Sequence, residues 1–236
     1  MNKKFLGFIF ARKNSRRLPK KNILKLGNKL LIEHTLIAAS KSKIFKEIIV
    51  STDDEKILSL KKKYKKIIFL KRPKFLSLNN VKNIDVLNYY LKKLNVKKNY
   101  DYFSLMLPTC PFRNHYHLRK GYKLISKNKN VNCVFSVTKS SFPIQFSLKM
   151  KKGLAIPFLK KSPLFLNNTR SQNQLPTFIP NGGFWICNTK KFLKLKNFYK
   201  GRVKVIEMSR EDSVDIDNQF DFNLAKLIIK TKPLGS

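Results

Sequence analysis

Short apolar runs recur along the chain, and between them lie longer stretches in which apolar residues return every three or four positions. The short runs predict buried β-strands, and the periodic stretches predict helices that pack one apolar face onto a sheet. The predicted strands are residues 5–10, 48–50, 67–70, 102–107, 131–138 and 203–208, with a further aromatic strand after residue 183, and the predicted helices are residues 31–42, 84–94 and 219–229. Strands that alternate with helices in this order indicate an α/β fold with a mostly parallel central sheet.

The alternation stops between residues 139 and 180. Prolines at 143, 157, 163, 176 and 180 and a glycine at 153 interrupt this segment, and they favour loops and a hairpin over a buried strand. A chain of 236 residues has the size of one ordinary domain. We therefore predict a single domain over residues 1–236, with an inserted arm at residues 139–180 that projects from the sheet.

Polar chemistry gathers first at residues 11–22, directly after the first predicted strand. The segment reads Ala-Arg-Lys-Asn-Ser-Arg-Arg-Leu-Pro-Lys-Lys-Asn and combines cationic side chains with a hydroxyl, two amides and a turn-forming proline. A loop that leaves the carboxyl end of a parallel strand lies where open α/β sheets bind ligands. Arginine and lysine side chains at that place indicate a site for an anion such as phosphate.

A cluster of opposite charge lies at residues 211–217. Only 13 acidic residues oppose 51 basic ones in the chain, yet four of the acidic residues fall within this short segment. In extended chain, the side chains of Asp215 and Asp217 point to the same side. Two carboxylates beside phosphate groups are ligands that Mg²⁺ accepts while water and phosphate fill its other positions. Asp215 and Asp217 are therefore candidate ligands for Mg²⁺, although this short motif is weak by itself.

The formal net charge of +38 has two interpretations. Neutralisation of phosphates drives nucleic-acid binding; alternatively, a lysine bias in the host is combined with an anionic small substrate. The charge is spread along the whole chain, and the sequence has no recognisable RNA- or DNA-binding module. It also lacks G-x-x-x-x-G-K-[ST] and G-x-G-x-x-G, so neither a P-loop NTPase nor a dinucleotide-binding enzyme is indicated. We favour the second interpretation and expect no nucleic-acid partner.

Several features predict a cytoplasmic protein without a membrane partner. No apolar stretch approaches the roughly 18 residues that span a bilayer. The three cysteines, Cys110, Cys133 and Cys187, lie far apart without metal-type spacing, which is typical of a reducing compartment. The apolar run near the N-terminus leads into Arg12 and Lys13 instead of the small residues of a cleavage site, so we interpret it as the first strand.

Cys110 and the histidines that follow it offer alternative chemistry. Cys110 lies between prolines 108 and 111, and His115 and His117 come shortly after it. A nucleophilic cysteine needs a base that a third group orients, and the sequence places no carboxylate nearby. We expect Cys110 not to act as a nucleophile, and we expect both histidines to be surface groups instead of metal ligands.

Residues 11–22 resemble the signature loop of the N-acylneuraminate (sialic acid) cytidylyltransferases, the CMP-sugar synthetases that join CTP to a nine-carbon keto-sugar acid. The family pattern Ala-Arg-x-x-Ser-(Lys or Arg)-x-Leu-Pro-x-Lys-Asn is matched at Ala11, Arg12, Ser15, Arg16, Leu18, Pro19, Lys21 and Asn22. Further matches follow in the family's order, including Ile-Ile-Val-Ser-Thr-Asp at 48–53, Arg-Pro at 72–73 and Ser-x-x-Asp-Ser-Val-Asp-Ile-Asp at 209–217. The resemblance covers nearly the whole chain.

The resemblance implies a three-layer, Rossmann-like nucleotidyltransferase domain with CTP as substrate and Mg²⁺ as cofactor. It implies that CTP is bound by Ala11, Arg12, Ser15, Lys21, Asn22 and Asn83. Within this set, Arg12, Ser15 and Lys21 are expected to contact phosphates and Asn22 to lie near the cytosine. Asn83 stands where the family has a serine, and its amide can still hydrogen-bond the edge of the pyrimidine. Catalysis is expected from Arg12, Lys21 and Asp217, of which Asp217 either binds metal or accepts the proton of the attacking hydroxyl.

The acceptor side departs from the family pattern. Leu107 replaces a glutamine, Gln145 a lysine and Trp185 a tyrosine. The residues expected to contact the sugar acid are Leu107, Gln145, Arg170, Asn181 and Trp185, with the Arg170 guanidinium on the carboxylate. The predicted activity is CMP transfer from CTP to a nonulosonic acid, and legionaminate, pseudaminate and Kdo are alternatives to N-acetylneuraminate. A nucleic-acid-binding protein and an inactive homologue are more distant alternatives. The family's arm further implies a homodimer.

Overall fold

The structure, a computed structural model, describes residues 4–231, so both ends of the predicted 1–236 domain lie outside the described residues. The strands are β1 (Phe5–Ala11), β2 (Lys25–Leu26), β3 (Lys29–Leu30), β4 (Glu47–Thr52), β5 (Ile68–Lys71), β6 (Tyr102–Met106), β7 (Cys133–Lys139), β8 (Leu148–Lys151), β9 (Leu154–Pro157), β10 (Phe178–Asn188) and β11 (Val203–Glu207). The helices are α1 (Leu31–Ser42), α2 (Glu55–Ser59), α3 (Asn83–Lys93), α4 (Val96–Asn99), α5 (His115–Lys127), α6 (Thr189–Leu195) and α7 (Gln219–Thr231).

Seven strands form the central sheet in the order β11-β7-β10-β6-β1-β4-β5. Strand β10 runs antiparallel to both of its neighbours, and the other adjacent pairs are parallel. The mostly parallel sheet predicted from the alternation of strands and helices is therefore confirmed. Among residues 4–231, no helix is long and apolar enough to cross a membrane.

Strand β1 is at the centre of this sheet, and all of its residues are buried. Its alternate side chains point to opposite faces. Phe5 and Ile9 join an apolar cluster with residues of α1 and α5 on one face. Leu6 and Phe8 join a second cluster with residues of α3 on the other face. Because helices cover both faces, the domain has three layers, as a Rossmann-like fold requires.

The segment between β7 and β10 contains the predicted hairpin, formed by β8 and β9. Its two-residue turn uses Lys152 (φ 49°) and Gly153 (φ 79°), and positive φ at both positions is the signature of a type I′ turn. The side chains of this hairpin are nearly all exposed. Strand β10 begins at Phe178, earlier than the sequence predicted, and its pairing with β7 is interrupted by a bulge between Pro180 and Trp185.

Candidate active site

A cleft of about 640 Å³ opens at the carboxyl ends of the parallel strands. Its walls come from segments that follow these strands directly: Arg12 follows β1, Arg72 follows β5 and Leu107 follows β6. Open α/β sheets bind their ligands at this edge. The cationic side chains that line the cleft are Arg12, Arg16, Arg17, Lys21, Arg72 and Lys82. The cleft therefore favours an anionic ligand.

The basic loop, residues 12–21, lies next to the acidic segment because both insert a side chain into one apolar cluster. Leu18 of the loop and Ile216 are buried in this cluster together with Phe222 of α7. Ile216 is flanked by Asp215 and Asp217, and both aspartates line the cleft. Since neighbouring side chains in extended chain point to opposite sides, burial of Ile216 turns the two carboxylates toward the loop.

The carboxylate of Asp217 forms ion pairs with two cations of the basic loop. Lys21 Nζ lies 2.9 Å from Asp217 Oδ1, and Arg17 Nη2 lies 2.7 Å from Oδ2. The backbone N–H of Asp217 donates to Asp221 Oδ2 (2.9 Å), and the Asp221 N–H donates to Asn218 Oδ1 (3.0 Å). This reciprocal capping at the start of α7 holds Asp217 at the mouth of the cleft.

The basic loop is fixed at both ends. At its end, the Asn22 side chain donates to the Arg12 carbonyl (3.0 Å). At its start, the Lys13 N–H donates to Asp53 Oδ1 (2.7 Å). Between these anchors Ser15 lines the cleft, as Asn22 also does. The structure thus orders the loop around the space where phosphate oxygens were predicted to bind, and the individual roles of these residues stay predictions.

Arg72 is a cleft residue that the sequence analysis did not assign to the site. Its Nε donates to Ser51 Oγ (3.2 Å), its Nη2 donates to the Ser51 carbonyl (2.8 Å), and its guanidinium lies 5.7 Å from the centre of the Phe10 ring. Burial lowers the pKa of Arg72. The signal that could have identified it is a basic residue directly after a parallel strand. Other cleft residues that were not assigned are Arg16, Arg17, Asn79 and Lys82.

The Asp215 carboxylate is in a different environment from Asp217. Part of the residue is open to the cleft, yet removal of the carboxylate from bulk water raises the pKa of Asp215, and the nearby charge of Asp217 raises it further. A hydrogen bond from the Thr109 side chain and the charge of Lys21 oppose this increase in pKa. An additional cation bound beside Asp215 would relieve the penalty of ionising it.

Gly182 brings the backbone of the β10 bulge close to Asp215. It has φ +72°, and a Cβ atom built on it would lie 3.5 Å from Asp215 Oδ2 and 3.7 Å from Leu107 Cδ1. Positive φ is a conformation that glycine adopts without strain. The Asn-Gly-Gly sequence therefore permits the bulge that forms this wall. Leu107 lines the cleft there, and its contact with the sugar acid stays a prediction.

Three predicted binding residues lie outside the cleft lining and are engaged by the protein itself. Ala11 is fully buried at the end of β1, where only its backbone is available. The buried Asn181 donates from Nδ2 to Ser213 Oγ (2.8 Å), and Trp185 donates from Nε1 to the Tyr199 hydroxyl (3.3 Å). The predicted sugar contacts of Asn181 and Trp185 stay predictions.

Two further predicted sugar-binding residues belong to the arm. Gln145 donates from Nε2 to the Leu175 carbonyl (3.2 Å), and its Oε1 is buried without a partner within residues 4–231. Arg170 is exposed at the start of a short 3₁₀ turn. Neither residue lines the cleft described above, and a contact with the sugar acid stays a prediction for both.

The surroundings of Cys110 support the expectation that it is not a nucleophile. Its thiol is buried and donates to the Asp212 carbonyl (3.6 Å), and burial raises the pKa of Cys110 to about 12. The expectation that no carboxylate lies near the histidines is wrong, because His117 Nε2 is 3.7 Å from Asp212 Oδ2. His117 is also not a surface group, because its side chain is only 12% exposed, and its Nδ1 accepts the Asn114 N–H at the start of α5 (3.2 Å), which is a capping contact.

The residues present fit a divalent cation that shares its coordination with a ligand. Within residues 4–231, no group of three or more His, Cys, Asp or Glu side chains could hold a metal on its own. Asp215 and Asp217 supply two carboxylates inside an anion-attracting cleft. Mg²⁺ commonly takes one or two carboxylates and completes its octahedron with phosphate oxygens and water. The donor set therefore suits Mg²⁺ together with a bound phosphate compound.

Comparison with known proteins agrees with this geometry. A family model described as cytidylyltransferase matches residues 6–141. The chain is 31% identical over 232 residues to the N-acylneuraminate cytidylyltransferase of Escherichia coli O18:K1:H7, a match that covers 98% of this chain and 54% of that protein. It is 27% identical to the pseudaminic acid cytidylyltransferase of Campylobacter jejuni, covering 96% of this chain and 97% of that protein. The chain thus spans about half the length of the Escherichia coli relative.

The fold has a counterpart among solved structures. A CMP:2-keto-3-deoxy-manno-octonic acid synthetase complexed with CTP superposes with a TM-score of 0.69 at 13% identity, over 97% of this chain and 99% of that one. At this identity the likeness shows the fold alone. Because the family model covers more than half of the sequence and includes the basic loop, the chain belongs to the cytidylyltransferase family.

Proposed function

We propose that the chain is a cytidylyltransferase that activates a nonulosonic acid, a sialic-acid-like keto-sugar acid. It joins CTP to the acid and yields the CMP-sugar and pyrophosphate. The observation that carries this proposal is the meeting of two segments far apart in sequence. Arg12 and Lys21 of the basic loop line the same cleft as Asp215 and Asp217, and Lys21 is paired directly with Asp217. A triphosphate with its cation is a ligand that needs both charges.

In the proposed reaction the anomeric 2-hydroxyl of the acid attacks the α-phosphorus of CTP in line. A bond forms between that oxygen and phosphorus, the bond to the β-phosphate oxygen breaks, and pyrophosphate leaves with the electron pair. The hydroxyl proton passes to a base or to water. Phosphoryl-transfer catalysis of this kind consists mostly of positioning and charge stabilisation.

The residues of the cleft have separate roles in the proposed reaction. Arg12 and Ser15 bind phosphate oxygens, and Lys21 compensates the charge that develops on the leaving pyrophosphate. Asn22 and Asn83 line the cleft, and we assign the contacts with the cytosine to them. When bound at the aspartate pair, Mg²⁺ supplies charge neutralisation and polarises the α-phosphate. Asp217 is either a metal ligand or the group that accepts the hydroxyl proton.

Several nonulosonic acids are compatible with the acceptor side of the cleft. Leu107 contributes an apolar wall beside Asp215, where the resembled sialic acid enzymes have a glutamine. This difference favours an acceptor that presents an apolar group at that place, such as a deoxy carbon, over one that needs an amide contact. Legionaminate and pseudaminate therefore stand beside N-acetylneuraminate as proposed acceptors, and Kdo is a fourth.

We further propose a homodimer that forms through the arm. Large apolar side chains are exposed on this segment, including Phe142 and Leu175 (78% each), Met150 (73%) and Leu154 (68%). An apolar surface of this extent on one segment is typical of an interface. A second copy that covers it would bring the arm, with Arg170 in it, near the partner's cleft. Sedimentation velocity of the wild type against a Met150→Asp, Leu154→Asp double variant tests this: a dimer that becomes a folded monomer supports it, and a monomeric wild type contradicts it.

The location that we propose is the cytoplasm. Cys110, Cys133 and Cys187 are buried and form no disulfide, although Cys133 and Cys187, far apart in the sequence, pair across β7 and β10 with the Cys187 thiol donating to Cys133 Sγ (3.1 Å). Free thiols agree with a reducing compartment, in which CTP is also supplied. Fractionation of cells that express the full gene product tests this location: recovery in the soluble cytoplasmic fraction supports it, and recovery outside the cell membrane contradicts it.

The activity is tested by incubating the purified chain with CTP, Mg²⁺ and one acid at a time from a panel of N-acetylneuraminate, legionaminate, pseudaminate and Kdo. The expected result is pyrophosphate release with one or two acids and a product of the mass of the CMP-sugar. Failure with every acid, while the protein binds CTP by calorimetry, would instead support an inactive homologue. Tight binding of random oligonucleotides at physiological salt without turnover would favour a nucleic-acid-binding protein.

A further inference from the structure

The two cations that hold the Asp217 carboxylate differ in their freedom. Lys21 has an 11% exposed side chain and bonds Oδ1, whereas Arg17 has a 69% exposed side chain and bonds Oδ2. Lys21 is thus enclosed by the protein, and the Arg17 guanidinium reaches Asp217 from the solvent side. Exposed ion pairs of the second kind are weak, because water and salt compete for both charges.

The Arg17–Asp217 ion pair opposes a divalent cation at the same carboxylate. In this structure both carboxylate oxygens of Asp217 are bonded to positive side chains. A cation on Oδ2 would lie within ion-pair distance of the Arg17 guanidinium, and like charges that close repel each other. Binding of a metal to Oδ2 therefore requires that Arg17 leave it.

A triphosphate in the cleft offers Arg17 another partner. Arg17 lines the cleft beside Ser15 and Arg16, so its guanidinium can turn from Asp217 to phosphate oxygens while its backbone stays fixed by the buried Leu18. Arginine binds phosphate with two parallel hydrogen bonds. The signature pattern discussed above leaves position 17 open, so this role is not part of the resemblance.

We propose that Arg17 is a positioning residue that controls the access of metal to Asp217, an inference that rests on the proposed function. In the nucleotide-free protein it holds Asp217 and weakens binding of a divalent cation; when CTP binds, Arg17 moves to the phosphates and Asp217 Oδ2 becomes available. The nucleotide therefore raises the affinity for the cation, and by thermodynamic reciprocity the cation raises the affinity for the nucleotide.

The test measures Mn²⁺ affinity without turnover, by electron paramagnetic resonance of free Mn²⁺ at about 0.15 M salt, where the Debye length is about 8 Å. The protein is titrated without nucleotide and again with CTP but no acceptor. Arg17→Gln is compared with Arg16→Gln, which removes the same charge from a neighbouring cleft residue with no hydrogen bond or ion pair to Asp217 among those described for residues 4–231. Asp217→Asn identifies the site.

The expected result is that Arg17→Gln binds Mn²⁺ about two- to fivefold more tightly than wild type without nucleotide, which is the range for an exposed ion pair. Arg16→Gln should leave this affinity close to that of wild type, and Arg17→Lys should restore it. The enhancement of Mn²⁺ binding by CTP should be smaller in Arg17→Gln than in wild type.

Equal Mn²⁺ affinities in Arg17→Gln and Arg16→Gln would overturn the role of Arg17, and the proposed cytidylyltransferase activity would stand if the wild type still forms a CMP-sugar. No Mn²⁺ binding by the wild type even with CTP would overturn the role of Arg17 together with the metal role of Asp217. If no acid of the panel gave a product while Arg17→Gln and Arg16→Gln still differed in Mn²⁺ affinity, the proposed reaction would be refuted and the role of Arg17 would stand.

Discussion

Replacing Leu18 with alanine tests whether apolar packing positions the basic loop. Leu18 is 6% exposed and lies in one cluster with Ile216 and Phe222. Truncation of a buried leucine costs about 2–5 kcal/mol when the cavity stays open. Because Leu18 lies in a loop that can relax, we expect the lower end, about 2 kcal/mol of unfolding free energy, which urea denaturation measures.

The same change should weaken nucleotide binding. In Leu18→Ala the loop keeps its two end anchors and its ion pairs with Asp217 but loses its apolar contact, so CTP binding has to order the residues around position 18. If about 1.4 kcal/mol of the lost packing reappears as this ordering cost, the Kd for CTP rises about tenfold. Isothermal titration calorimetry with CTP measures this change directly.

Leu26→Ala is the matched control. Leu26 is fully buried in the same cluster but belongs to β2, outside the basic loop. It should lower the unfolding free energy by at least as much as Leu18→Ala and change the Kd for CTP less than twofold, by about 0.4 kcal/mol or less. Equal Kd values for the two variants would refute the conclusion that the Leu18 contact positions the cations.

Three other predictions concern the acidic wall of the cleft. The pKa of Asp215 is raised in the folded protein, so the protein loses stability as pH rises from the unfolded-state pKa of this carboxyl through its folded pKa. Asp215→Asn should therefore unfold at a higher urea concentration than wild type at pH 7. The difference between the two proteins should vanish at low pH, where the carboxyl is protonated in both states. Gly182→Ala forces a side chain to φ +72° beside Asp215 and should lower stability by about 1–2 kcal/mol in thermal unfolding, whereas an unchanged Tm would contradict the strain. Asp221→Ala removes the carboxylate that accepts the Asp217 and Asn218 N–H groups at the start of α7 and should cost about 1 kcal/mol in urea unfolding; no loss would mean that these two hydrogen bonds are not needed to hold Asp217.

Most strands of the central sheet and the helices α1, α3 and α7 could be predicted because their signals are local, whereas α5 is missing from the predicted helices. Burial on both faces makes β1 a continuous apolar run, and α1 was predicted with the bounds that the structure has. Pairing is not local: β10 inserts antiparallel between β6 and β7, which an alternating pattern does not reveal. The start of β10 was also missed, since prolines 176 and 180 argued against a strand that the structure accommodates with a bulge.

In the candidate site, too, local features could be predicted from the sequence, whereas contacts between distant residues could not. The basic loop and the two aspartates were found because charge clusters stand out in a sequence, and the family resemblance singled out Arg12 and Lys21 within the loop. The structure brings all four residues to one cleft. Arg17 and Arg72 were not assigned, since their partners are Asp217 and Ser51, which lie far from them in the chain. The hydrogen bond from Asn181 to Ser213 could not be predicted either, because the two residues lie far apart in the chain.

Turnover by Asp217→Asn tests the central claim most directly. The variant keeps the size of the side chain and removes the charge that faces Lys21 and Arg17. With CTP, Mg²⁺ and the preferred nonulosonic acid, the account predicts that pyrophosphate release falls at least about 100-fold while circular dichroism shows an intact fold. Undiminished pyrophosphate release from the folded variant would contradict the account.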